Sequence, residues 1–204
     1  MTGVREPQQE RSRTTRRRLI EAALDSFGEH GWHGVTVAVI AERAGVSRGA
    51  AQHHFPTRET LVAAAVDLLG EAQIDELRAQ AADLPSGSSR IERVVEMVLN
   101  LYTGPLFRAA LQLWAVAATD EALRDVLVPL EARVGREAHR VTVELLGVDE
   151  TRTGARELVQ ATLDLARGLG LANLLTDDTR RRRQIVREWA QTLELRLAGT
   201  SGVQ

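Results

Sequence analysis

The chain has 204 residues, 44% of them hydrophobic, and a formal net charge of −2; that length buries either one large helical domain or a small head and a larger body. It contains no cysteine and no lysine, which excludes disulfides, thiolate chemistry, lysine Schiff bases, the Walker A phosphate loop and the usual structural zinc sites. No run of 18 apolar residues occurs and the first residues are charged rather than apolar, so no membrane contact or secretion is expected and the cytoplasm is the expected compartment.

In chain order, residues 1–12 are polar and read as a flexible arm. The first helix is predicted over 13–30, with Leu19, Ile20, Ala23, Leu24 and Phe27 on one face and Gly31 at its end. Arg11, Arg13, Arg16, Arg17 and Arg18 crowd its start, where cations oppose the helix dipole. Phosphate contact, chiefly by Arg16 and Arg17, is the functional reading; a solvated charge run is the alternative. All 26 basic residues are arginine, whose planar fork suits phosphates and guanine edges. Residues 1–60 hold nine Arg against seven Asp/Glu, and the remainder 17 against 21. A basic head on an acidic body fits nucleic-acid binding, and fits ordinary solvated surfaces as well.

Two short helices with a tight turn follow. Thr36 is placed to cap the first, in which Val37, Ile40, Ala41 and Ala44 recur at helical spacing. Gly45 stands where a left-handed C-cap is needed, Ser47 caps a second helix over 48–54, and Pro56 stops it. This is the pattern of a helix-turn-helix, whose second helix enters the major groove.

From 57 to 82 one long helix is predicted, then a loop at 84–89 (LPSGSS), with Ser89 and Glu92 forming a capping box for the next helix. That helix carries Ile91, Val94, Val95, Val98, Leu99 and Tyr102 on one face. Pro105 starts another through 118, and 120–146 is helical again, bent at Pro129 and closed by Gly147. The last two helices are predicted over 153–175 and 178–198. Gly168 and Gly170 inside the former cost about 1 kcal/mol each relative to alanine, which a close backbone approach would offset. Leu165, Leu169, Ile185, Trp189 and Leu193 line the apolar faces of this pair and are the expected dimer interface, unless both helices merely complete the monomer core. No segment alternates with period two for long enough to make a strand, so the fold class is all-α with about nine helices.

Residues 16–69 resemble the DNA-binding domain of the TetR family of transcriptional regulators. The matching pieces are RRRLIEAALDSFGEHGW, IAERAGVSRG and HHFPTRETL, in that order. The resemblance implies an all-helical homodimer with a helix-turn-helix head (13–56) and a divergent effector-binding and dimerisation domain (57–204). On that head the expected DNA contacts are Arg16, Arg17, Thr36, Val37, Ser47, Arg48, Gly49, Ala51, Gln52, His53 and His54. Arg48 can pair with guanine, Gln52 with adenine, and Ala51 can touch a thymine methyl. His53 and His54 can donate to phosphates, while Phe55 reads as core. The family pattern usually has tyrosine where this chain has Gln52, and polar residues where it has Ala38 and Val39. Tyr102 and Trp114 are the candidate effector contacts.

Other strings point to chemistry but lack the surroundings it needs. Gly45–Gly49 spells the G-x-S-x-G of a hydrolase nucleophile elbow, which requires a strand before the serine, whereas the residues here read as helical. His53 and His54 are adjacent and diverge around a helix, a poor metal pair. Gly168-Leu169-Gly170 lacks the strand and third glycine of a dinucleotide loop. No catalytic residue, metal or cofactor is expected. The leading function is an operator-binding regulator, a repressor released by a small molecule. The alternatives are a helical dimer whose main partner is a protein, and a hydrolase using Ser47.

Overall fold

The computed structural model describes residues 6–82, 84, 85, 87–176 and 178–199. Among them are nine α-helices and no strand: α1 Glu6–Gly34, α2 Val37–Arg43, α3 Arg48–His54, α4 Arg58–Ala81, α5 Ser88–Asn100, α6 Pro105–Ala117, α7 Glu121–Leu146, α8 Ala155–Ala172 and α9 Thr179–Gly199. The expected all-α class holds.

α1 starts seven residues before the predicted Arg13, so 6–12 are helix and not arm; residues 1–5 of the expected arm lie outside the described residues. The reason is local: proline is tolerated in a first turn, as at Pro7, and the straight-chain residues after it are good helix formers. At the other end Gly31, at φ 63° and ψ −172°, breaks the helix where a stop was predicted, and one further turn carries Trp32 into the core. α5 differs from expectation at its start. Gly87, at φ 78°, is its N-cap and makes no side-chain bond, so Ser89 sits inside the first turn and forms no capping box. Ser86 of the predicted loop is outside the described residues. The left-handed Gly154, at φ 81°, holds back the start of α8 to Ala155.

The chain forms two compact units, each discontinuous in sequence: residues 1–69 with 109–131, and 70–108 with 132–204. The division differs from the expected cut at residue 56, because α4, α6 and α7 each have part of their length in both units. In the first unit Leu19, Ile20, Phe27, Ile40, Ala51, Phe55 and Leu61 are buried together with Leu113 and Leu123. Arg58 braces it: its guanidinium lies 4.3 Å from the Trp32 ring centroid, and reaches Asp120 at 4.0 Å and Glu59 at 2.8 Å.

In the second unit α5 packs against both α8 and α9, around Val94, Val98, Val141, Val159, Leu163 and Leu193. Gly170 of α8 meets the Tyr102 main chain, as close backbone approach required, whereas a Cβ at Gly168 would have nothing within 4 Å. His139 is buried and bonds Glu150 at 2.7 Å, tying α7 to the turn that follows it.

This packing corrects two of the expected interface residues. Leu193 is 0% exposed and Leu169 7%, so the monomer core already takes both. Leu165, Ile185 and Trp189 are half-buried against the same core, and the Trp189 indole N–H donates to Thr162 Oγ1 at 3.0 Å. The leucines left exposed in this last helix pair are Leu171, Leu174 and Leu175, which is 95% exposed, near the α8–α9 turn, and Leu195 on α9.

Candidate nucleic-acid interface

The local chemistry of residues 36–55 dictates their conformation. Thr36 is extended at φ −127°, and its hydroxyl accepts from Val39 N–H at 3.2 Å, starting α2. At the far end Gly45 takes φ 61°. Its N–H returns to the Glu42 carbonyl and the Val46 N–H to the Ala41 carbonyl, the paired bonds of a Schellman stop. Ser47 then accepts from Ala50 N–H at 3.2 Å and starts α3. Ser47 is therefore the N-cap of a helix entered from a helical turn, which is not the strand-to-helix elbow of a hydrolase.

Seven residues make α3, and they divide into two faces. Ala51 (0% exposed) and Phe55 (4%), four residues apart, point into the head. This corrects the expected thymine contact of Ala51, which the fold consumes in packing. Arg48, Gly49, Gln52 and His53 are exposed, with Arg48 and Gln52 one turn apart on the same outer face. A Cβ at Gly49 would touch nothing within 4 Å, so the backbone there is open to approach. His54 is half-buried; burial first, then the charges of His53 and Arg16, hold its imidazole below its ordinary pKa. Its ring N–H remains available as a hydrogen-bond donor to a phosphate.

α1 supports this unit from behind. Arg43 makes a two-pronged bond to Glu29 at 2.5 and 2.6 Å and approaches Asp25 at 4.0 Å, fixing α2 on α1. The guanidinium of Arg16 lies 5.4 Å from the Phe55 ring centroid, so Arg16 has a packing role beside any phosphate role. Arg17 is exposed and reaches Glu21, also exposed, at 3.6 Å, a surface pair worth little that an incoming phosphate can replace. Val37 is half-buried at the start of α2, and Thr36 is exposed beside it.

The two candidate effector residues lie in different units. Tyr102 stands edge-on to Phe107 with ring centroids 5.4 Å apart, and the Arg167 guanidinium is 5.3 Å from its own ring centroid. Trp114 donates its indole N–H to Glu131 at 2.7 Å. That acidic partner is invisible to local sequence patterns, since 17 residues separate the two.

Comparison with known proteins follows the same lines. The model of the bacterial regulatory proteins of the tetR family matches residues 19–65. The HTH-type transcriptional regulator CymR of Pseudomonas putida is 31% identical over 185 residues, 89% of this chain and 90% of that protein. A TetR transcription regulator from Haloarcula marismortui superposes with a TM-score of 0.65 at 22% identity, over 87% of this chain and 97% of that one. The multidrug binding protein EbrR, solved with proflavin, gives 0.61 at 23% identity, over 88% and 99%. At those identities the two structures share the fold. No helix among the described residues is long and apolar enough to cross a membrane.

Proposed function

The chain belongs to the tetR family of bacterial regulatory proteins, and from that premise we propose that it is a repressor that reads an operator through α3 and leaves it when a small molecule binds the body. The observation that carries this reading is the division of α3. Ala51 and Phe55 anchor one face, while Arg48, Gln52 and His53 stand exposed on the other. An exposed arginine one turn from an exposed glutamine supplies bidentate donors for guanine and a donor–acceptor pair for adenine. Selection of duplexes from a random-sequence pool by the full-length chain tests it. A sequence should be enriched, and binding should weaken steeply with salt.

Changing Arg16 and Arg17 together to alanine is expected to weaken binding to the enriched and to a shuffled duplex alike. The log–log salt slope should flatten by about 0.9 for each lost phosphate contact. An unchanged slope would return Arg17 to its pair with Glu21 and leave Arg16 as a brace on Phe55.

Two heads must sit about 34 Å apart to meet successive half-sites, which calls for a dimer. The exposed leucines of α8, α9 and the turn between them support a partner copy there. Leu175→Glu with Leu195→Glu is expected to give a folded monomer in sedimentation, because neither side chain serves the monomer core. A dimer of wild-type strength would place the interface elsewhere. Effector binding in the body would then favour a head separation that no longer fits the operator. EbrR, which shares the fold and was solved with proflavin, supports a small-molecule trigger.

A further inference from the structure

We propose that Arg18 is a positioning residue for operator readout, one that holds the turn in front of the recognition helix and does not hold a phosphate. The proposal rests on the regulatory reading above. Arg18 belongs to the arginine-rich first helix, yet its Nη2 donates to the Ala44 carbonyl at 2.5 Å, across 26 residues of sequence. That carbonyl needs an outside donor. Among the described residues no main-chain N–H reaches it, and those of Gly45 and Val46 turn back to Glu42 and Ala41. A cation at the C-terminal end of α2 also meets the negative end of the helix dipole.

The turn is shaped for this contact. A Cβ on residue 45 would lie 2.9 Å from Arg18 Nη2, so glycine there leaves room for the guanidinium as well as allowing φ 61°. α3 begins at Arg48, four residues beyond Ala44, so any rotation of the turn rotates Arg48 and Gln52 with it. Base contacts depend on that orientation, whereas attraction to phosphates is nearly indifferent to it. Loss of Arg18 should therefore reduce discrimination between sequences more than affinity for DNA as such.

The test compares the full-length wild type, Arg18→Met and Arg18→Gln on the duplex the wild type enriches from a random pool and on a shuffled duplex of the same composition. Arg18→Met is expected to bind the enriched duplex about tenfold more weakly, the size of one lost charge-assisted hydrogen bond. Binding to the shuffled duplex and the salt slope should stay close to wild type. Arg18→Gln, which keeps an N–H donor without the charge, should recover part of the loss. Equal weakening on both duplexes with the slope flattened by about 0.9 would make Arg18 a phosphate ligand and overturn the proposal. An unchanged ratio of the two affinities with a lowered melting temperature would make it a structural brace only, and overturn it too. If Arg18→Met does not fold, Arg18→Gln is read by the same slope and ratio. A wild type that enriches no sequence would sink the regulatory reading itself, and this proposal with it.

Discussion

Gly170→Ala is expected to lower the melting temperature by about 6–12 °C, the shift that about 3 kcal/mol of overpacking gives in a chain of this length. A Cβ on residue 170 would lie 2.0 Å from the Tyr102 carbonyl oxygen and 2.9 Å from both its carbonyl carbon and its Cβ. Two of those atoms are main chain, so no rotamer change relieves the clash, and α8 must move away from the turn that follows α5. The Arg167 guanidinium, resting on the Tyr102 ring one turn away on α8, would shift with them. Gly168→Ala is the control in the same helix. Its Cβ would meet nothing within 4 Å, and alanine there is expected to stabilise by up to about 1 kcal/mol. Thermal melts of the two variants side by side decide the matter; equal effects would mean that the Tyr102 main chain does not approach Gly170 as described.

Arg48→Ala combined with Gln52→Ala is expected to cost about 2–6 kcal/mol on the enriched duplex, from two base contacts of about 1–3 kcal/mol each. Both side chains are exposed and, among the described residues, neither has a hydrogen bond or ion pair, so the head should keep its fold and its melting temperature. On shuffled DNA the loss should be much smaller, limited to the charge of Arg48. If Gln52 instead touches the phosphate backbone, Gln52→Ala alone would weaken both duplexes by similar factors.

Much of this head was legible in the sequence because its signals are local. Thr36, Gly45 and Ser47 each act within three or four residues of themselves, and the structure finds each doing what its side chain or lack of one suggests. Ala51 was the exception, yet its spacing of four from Phe55 placed it on the face already read as core. Leu169 and Leu193 were beyond such reasoning. An apolar stripe on an amphipathic helix looks the same whether it meets its own chain or a second copy, and here the core of the second unit claims both. The units themselves were hidden for a similar reason: one joins 1–69 to 109–131 and the other 70–108 to 132–204, and no loop marks those boundaries. Arg18 was indistinguishable from its arginine neighbours until the Ala44 carbonyl lay beside it.

The central claim, that the outer face of α3 reads base sequence, is tested most directly by the preferences of one variant. Wild type and Arg48→Ala are titrated against the enriched duplex and every single-base change in one of its half-sites. Arg48→Ala is expected to lose discrimination at one or two guanine positions, about 1–3 kcal/mol there, and to keep the wild-type ranking elsewhere. An identical ranking for both proteins, with Arg48→Ala merely weaker throughout, would contradict it and assign Arg48 to the phosphate backbone.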